Sequence, residues 1–158
     1  MFRKMLRNKQ QLSEDECKTV LKESLRGVLS VIGDEGYPYG IPLNHWYSEK
    51  EGKIYFHCGK EGHKIDSIMA CPKASFCTWD DGVVPEGQWY KRFHSVVVFG
   101  KIELVQDEEK IREICKEITN KFPTEPDYFE KEAKTALSRT LCLALTIEHM
   151  TGKIVNEA

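Results

Sequence analysis

The stretch that decides the fold is Tyr55-Phe-His-Cys-Gly-Lys-Glu-Gly-His-Lys-Ile-Asp66, which leads from a strand through a glycine loop into a helix. Its first residues alternate, as in a strand with two different faces. Gly59 and Gly62 bracket the loop, and apolar residues then recur at helical spacing. His63 and Lys64 stand in the first helical turn, where free N–H groups and the positive end of the helix dipole favour an anion such as phosphate.

Two interpretations of this loop stay open on spacing alone. It is not a Walker A loop, because the Gly-x4-Gly-Lys-Ser/Thr spacing is absent and Ile65 follows the lysine. In one interpretation Lys64 supplies the charge that binds a phosphate. In the other, Gly59 and Gly62 serve only as turn residues and Lys64 is solvated.

The length of the chain predicts a single domain over residues 1–158, large enough to bury a core of its own. A net charge of -2 and a pI near 6.2 do not favour a nucleic-acid surface, which needs a basic face. No apolar run approaches the ~18 residues of a membrane span. The N-terminus is basic but lacks the apolar region of a secretory signal. We therefore expect a cytoplasmic protein that binds neither nucleic acid nor membrane.

The cysteines and histidines do not form the spacings of a metal site. No Cys-x2-Cys pair occurs, and most cysteines lie in apolar segments, which predicts free buried thiols. His45, His57 and His63 have no carboxylate or cysteine at the spacing of a partner ligand, so we predict no metal. The six cysteines are Cys17, Cys58, Cys71, Cys77, Cys115 and Cys142.

Hydrophobic periodicity predicts a mainly β protein with helices inserted between hairpin-linked strands. A capping box at Ser13–Glu16 begins the first helix, and Gly100 is expected to kink a long strand. Pro38 and Pro42 cannot donate to a ladder, so their strand is bulged or exposes an edge. These features favour a six-stranded antiparallel Greek-key barrel, closed or split. The predicted helices are 14–24, 63–71, 107–121 and 128–137, and the predicted strands are 27–32, 37–47, 53–58, 74–79, 95–105 and 141–147.

Five motifs, in this order, carry a resemblance to a known family. The chain resembles the pyridoxamine 5'-phosphate oxidase-like flavoproteins, and within them the nitroimidazole-resistance branch, from about residue 10 to 155. The resemblance implies a split β-barrel that binds FMN at the interface of a homodimer, with two flavins per dimer. The motifs are Gly27-Val-Leu-Ser-Val, Gly36-Tyr-Pro-Tyr-Gly-Ile-Pro-Leu-Asn44, Ile54-Tyr-Phe-His-Cys-Gly-Lys-Glu-Gly-His-Lys64, Ser95-Val-Val-Val-Phe-Gly100 and Thr151-Gly-Lys153.

The resemblance also implies a role for individual residues. It assigns the grip on the FMN phosphate to His63 and Lys64, and a contact with the ribityl or phosphate end to His57. The remaining implied contacts run along the cofactor towards its ring. They are the strand backbone at Val28, Leu29 and Ser30, the residues Pro42, Leu43 and Asn44 beside the isoalloxazine, Ser95 and the aromatic cluster around Trp89 from the partner subunit, and Lys153 at the ring end.

The resemblance leaves several functions open. The arginine-rich phosphate site and the C-terminal substrate arginines of the oxidase itself have no clear counterpart here, so vitamin B6 oxidation is not expected. The better match is an FMN-dependent oxidoreductase that reduces a small nitroaromatic molecule, with no catalytic side chain assigned. The alternatives are a non-catalytic flavin or haem binder or sensor on the same barrel, and an enzyme that uses a deazaflavin co-substrate. The lack of a long basic groove makes the deazaflavin reading the weaker one.

Overall fold

The computed structural model describes residues 1–156, which form four α-helices and seven β-strands. The helices lie between strands rather than in a layer of their own. The helices are α1 (Glu14–Glu23), α2 (His63–Ala70), α3 (Glu108–Asn120) and α4 (Tyr128–Ala136). The strands are β1 (Arg26–Ile32), β2 (Pro38–Asn44), β3 (Trp46–Ser48), β4 (Lys53–Gly59), β5 (Lys73–Trp79), β6 (Arg92–Val105) and β7 (Thr140–Asn156).

All seven strands belong to one antiparallel sheet in the order β2-β1-β5-β6-β7-β4-β3. The sheet curls until β2 approaches β4, but these two strands share no ladder. The barrel is therefore split along this line, which confirms the predicted fold class. The strand count differs from the prediction, because the single predicted strand 37–47 is divided into β2 and β3.

A buried histidine separates β2 from β3. The His45 side chain is fully enclosed, with Nε2 2.8 Å from the carbonyl oxygen of Leu21 and the ring packed edge-on against Phe76. Burial lowers the pKa of this imidazole to about 3. Since β2 is an edge strand, the missing N–H groups of Pro38 and Pro42 remove no hydrogen bonds from the middle of the sheet, as the sequence predicted.

The core lies on the concave side of the sheet. Leu29, Phe56 and Phe76 are completely buried there, and they pack with side chains from α1 and α2. Helix α1 begins with the predicted capping box, in which the side chains of Ser13 and Glu16 each bond to the backbone of the other. By packing on the concave side, α1 and α2 bury the apolar side chains that the sheet alone would leave exposed.

The convex side of the sheet is covered over only one half. There α3 packs Ile114 and Ile118 against Tyr55, Cys142 and Ala144 of β4 and β7. The other half, formed by β2, β1, β5 and the adjoining parts of β6 and β7, has no α-helix packed on it in the described part of the chain. Only the N-terminal residues 2–7 lie along its β7 side, where the Phe2 ring stacks on His149 with centroids 4.5 Å apart. We call this surface the open face.

A bulge marks the boundary between the two halves. The register of β6 and β7 shifts between Phe99 and Gly100, so that Glu148 has no partner in the ladder. A Cβ at Gly100 would lie 2.0 Å from the carbonyl oxygen of Thr146, which explains why glycine occupies the predicted kink.

Two further properties concern residues 1–156 only. None of the helices formed by them has the length and apolar character needed to cross a membrane. The same residues contain no group of three or more histidine, cysteine or acidic side chains arranged to hold a metal ion.

Candidate functional site

Half of the candidate site residues from the sequence analysis lie on the open face. In an antiparallel ladder directly paired residues point to the same side of the sheet, and residues two apart along a strand do as well. Val28 pairs with both Pro42 and Cys77, Cys77 pairs with Val97, and Val97 pairs with Thr151. Following this register, the predicted residues that share the open face are Val28, Ser30, Pro42, Asn44, Ser95 and Lys153.

Small side chains form the floor of the open face. Ser30 pairs with Ser75 on one side and with Gly40 on the other, where a Cβ would lie 3.2 Å from Val28 Cγ1. Larger apolar groups stand at its edges, since Trp79 is 49% exposed and Phe99 is 40% exposed. The result is a partly apolar surface that a planar ligand or a second protein surface can approach closely at Gly40 and Ser30.

Two of the predicted residues point away from this surface. Leu29 is completely buried in the core, and Leu43 packs against the same core cluster. The resemblance implied a contact with the backbone of β1 at Leu29, and only the backbone of that residue is directed towards neighbouring strands. The side chains of Leu29 and Leu43 therefore stabilise the barrel.

Asn44 is held in a fixed orientation by a residue that the sequence analysis did not select. The Arg26 side chain donates from Nε to Asn44 Oδ1 at 3.1 Å, across the register pair that joins β1 to β2. This bond fixes the amide and leaves its NH₂ group for another acceptor. Both residues are visible in the sequence, but their pairing can be predicted only when the register of the hairpin is known.

Helix α2 begins beside the split of the barrel without a side-chain cap. Its N-cap is Gly62, whose φ of 115° is one that residues with a side chain rarely adopt. The N–H groups of Ile65 and Asp66 both donate to the carbonyl oxygen of Gly62. Because glycine offers no capping oxygen, the first turn keeps N–H groups that an anion can accept from.

Lys64 is partly buried in this first turn and lies close to Cys58 and His57 at the end of β4. Desolvation lowers the pKa of the His57 imidazole, and the charge of Lys64 acts in the same direction. Desolvation raises the pKa of the Cys58 thiol, and Lys64 partly opposes it. Among the residues described, no carboxylate lies within salt-bridge distance of Lys64. Its charge is therefore not neutralised within the chain.

His63 is directed towards the β1–β2 hairpin. Its ring stacks on Tyr39 with centroids 4.3 Å apart, and its Nε2 accepts from the Asp34 N–H at 3.4 Å. The imidazole thus connects the start of α2 to the hairpin and keeps Nδ1 for another partner. Tyr39 belongs to one of the motifs quoted above, but no local pattern predicts that it stacks on His63.

Trp89 lies apart from the other predicted residues of its own chain. Its side chain is 82% exposed and contacts Tyr90 edge to face, with centroids 6.1 Å apart. The base of this loop is fixed by Asp80, whose carboxylate oxygens accept from the His94 backbone N–H at 2.9 Å and lie 2.6 Å from Nδ1 of the same histidine. An exposed indole on an anchored loop is available to a second molecule.

The concavities of a single chain are small where the predicted residues meet. A hollow of 220 Å³ lies on the open face beside Ser30, Ser75 and Phe99. A hollow of 350 Å³ lies beside Thr151 and Lys153, and one of 550 Å³ lies beside Arg26 and Trp79. A further hollow of 790 Å³ lies away from this face, between α3 and α4. Ligand pockets usually measure about 300–1,000 Å³. The hollows at Ser30, Lys153 and Arg26 are separate, so no single one of them gathers the predicted residues.

These features define a split-barrel protein with a candidate ligand site formed by one open sheet face and one uncapped helix start. The chain belongs to the pyridoxamine 5'-phosphate oxidase family, whose sequence profile matches residues 13–154. No curated protein matches the sequence at a significant level.

Solved structures share this fold at low sequence identity. A candidate 5-nitroimidazole antibiotic resistance protein from Bacteroides thetaiotaomicron is 20% identical, with a TM-score of 0.74 over 91% of this chain and 86% of that one. An FAD-binding protein from Mesorhizobium loti is 22% identical, with a TM-score of 0.70 over 93% and 98%. A conserved hypothetical protein from Mycobacterium tuberculosis is 16% identical, with a TM-score of 0.78 over 95% and 90%.

Proposed function

We propose that this protein is an FMN-binding oxidoreductase that works as a homodimer and reduces small nitroaromatic molecules. The observation that carries the proposal is the shared direction of Val28, Ser30, Pro42, Asn44, Ser95 and Lys153 on the open face. Membership of the pyridoxamine 5'-phosphate oxidase family and the flavin-binding relative of the same fold support it.

The phosphate end of the cofactor fits the start of α2. Gly62 leaves the first turn without a capping side chain, and Lys64 carries a charge that no described carboxylate neutralises. A terminal phosphate suits such a site, because backbone N–H groups and an ammonium both bind its oxygens. No dinucleotide Gly-x-Gly-x-x-Gly turn follows a strand, which favours FMN over FAD.

The ring end fits the open face. Gly40 and Ser30 leave room for close approach, and the NH₂ group of Asn44 remains free while Arg26 holds its oxygen. When bound, the flavin supplies the electron transfer, and the protein supplies position and electrostatics. The residues of this chain bind the cofactor and exclude water from one side of it, and none of them is assigned a proton transfer.

A second copy of the chain would complete the site. One chain offers a hollow of only 220 Å³ at Ser30, and the partly exposed side chains of Trp79 and Phe99 lie on the open face. Apolar patches of this kind mark association surfaces, and a two-fold dimer would bring the same open face from both copies together. Ser95 and Trp89 would then approach the cofactor held by the partner.

The first experiment is the visible spectrum of the purified protein, followed by titration of the apoprotein with FMN. A flavin spectrum and a dimer mass in light scattering are expected. The flavin-loaded protein is then reduced anaerobically and mixed with a 5-nitroimidazole, which should speed flavin reoxidation. A haem spectrum, or flavin binding with no faster reoxidation, would instead favour the non-catalytic binder. A monomer mass at micromolar concentration would overturn the shared site.

A further inference from the structure

Two thiols face each other beneath α3, outside the candidate flavin site. Cys115 Sγ of α3 and Cys142 Sγ of β7 are 3.9 Å apart. Cys142 is completely enclosed, whereas Cys115 lies at the edge of the same cluster and keeps partial access to solvent. The pair is separated by 27 positions in the sequence, so the fold alone brings the sulfurs together.

We propose that Cys115 and Cys142 form a peroxide-reactive thiol pair that oxidises to a disulfide and fastens α3 to β7. A disulfide requires the sulfurs to approach to about 2.05 Å. Closing the remaining gap of about 2 Å requires small movements of the side chains and of the helix. These movements are possible because α3 packs on the outside of the sheet and is not part of its hydrogen-bond ladders. The helix contacts the sheet through Ile114 and Ile118, on either side of Cys115.

The two thiols differ in the way that a nucleophile and a resolving group should differ. The hydrogen bond from Cys142 holds the pKa of the Cys115 thiol below its ordinary value, although burial acts against this. The same bond and burial raise the pKa of Cys142. Burial also raises the pKa of Cys58 and Cys77. Because the thiolate is the reactive form, Cys115 is the favoured point of attack among these.

The proposed reaction consumes one hydrogen peroxide and two thiols. The Cys115 thiolate attacks one peroxide oxygen, the O–O bond breaks, and a sulfenic acid forms with release of hydroxide. The sulfur of Cys142 then attacks the Cys115 sulfur, which forms the S–S bond and breaks the S–O bond, and the departing hydroxide takes up the Cys142 proton to become water. The hydroxide released in the first step takes up the proton that Cys115 lost when it ionised. Both sulfurs are oxidised, and the two peroxide oxygens end as two waters.

The test treats the reduced full-length protein with hydrogen peroxide, alkylates the remaining thiols and digests without reductant. Trypsin places each cysteine on its own peptide, 113–116 for Cys115 and 140–153 for Cys142. We expect these two peptides to be joined, lighter by two hydrogen atoms than their sum. Cys71→Ser is the matched control, because Cys71 is partly exposed and distant in sequence, and it should leave the link unchanged.

Two variants separate the proposed roles. Cys142→Ser should leave a sulfenic acid on Cys115 that dimedone labels, whereas Cys115→Ser should leave Cys142 unmodified at the same peroxide dose. Recovery of both peptides separately and fully alkylated would overturn the proposal, and so would a link from Cys142 to Cys58. A link over this sequence separation should raise the melting temperature by roughly 7–14 °C. A lower melting temperature of the oxidised protein would contradict the fastening of α3.

Discussion

The substitution Lys64→Ala tests the phosphate end of the proposed site most directly. Lys64 lies in the uncapped first turn of α2, and no described carboxylate neutralises it, so its charge is available to a ligand. A hydrogen bond to a charged group contributes about 1.5–3 kcal/mol. The variant still has the backbone N–H groups of the turn, but it loses the full positive charge.

We expect Lys64→Ala to weaken FMN binding by about 2–3 kcal/mol, which is a rise of roughly 30–150-fold in Kd. Riboflavin lacks the phosphate, so its Kd should stay within about twofold of the wild type. Kd is measured by quenching of flavin fluorescence during titration of the apoprotein. Since Lys64 adds no side chain to the core cluster, the melting temperature of the apoprotein should change little.

The control is Lys60→Ala, which removes an equal charge from an exposed position of the same loop. It should weaken FMN binding by much less, because a solvated charge is screened by salt. An unchanged Kd of Lys64→Ala for FMN would refute the contact between Lys64 and the phosphate. An equal loss of affinity for riboflavin and FMN would also refute it, since the loss would then come from the fold and not from the phosphate.

Three further predictions concern the fold. Gly100→Ala forces a Cβ towards the Thr146 carbonyl oxygen and should lower the free energy of unfolding in urea by about 1–3 kcal/mol. The control is Gly52→Ala, where φ is positive but no atom lies near the added Cβ, and an equal loss in the two variants would refute the role of the close contact. Asp107 caps α3 through the Lys110 N–H, so Asp107→Ala should cost about 1 kcal/mol and Asp107→Asn much less, which urea unfolding also checks. The pKa of His45 is lowered to about 3 in the folded chain, so the unfolded chain binds more protons between about pH 6.5 and that value. The free energy of unfolding should therefore decrease as the pH falls through this range, and the slope should be steeper in the wild type than in His45→Gln by about 1.4 kcal/mol per pH unit. Equal slopes in the two proteins would contradict the burial of a neutral imidazole.

The sequence predicted the element types well wherever the signal is local. The capping box at Ser13, the cap at Asp107, the glycine at position 100 and the edge-strand prolines are all read from a few neighbouring residues, and the structure confirms each of them. The break at His45 was missed because its cause is distant. Leu21 and Phe76 enclose the imidazole, and neither is near it in the sequence.

The candidate site was harder to predict, because it depends on register. The hairpin pairs Ile32 with Pro38 and therefore Arg26 with Asn44. A turn shorter by one residue would have placed Asn44 opposite Leu25 and on the other side of the sheet. The predicted residue set was therefore a list of positions along the chain. The structure divides it into residues that line the open face and residues, such as Leu29 and Leu43, whose side chains support it from within.

The bulge at Phe99 and Gly100 has a consequence for how such a barrel can diversify. Strands β6 and β7 run the full height of the sheet, and Glu148 interrupts their ladder between the half under α3 and the open half. A bulge bends the strand and increases its local twist, so the twist of one half of the sheet can change without changing the other. Substitutions on the open side can then adapt the binding surface to a different ligand, while the half beneath α3 keeps its packing.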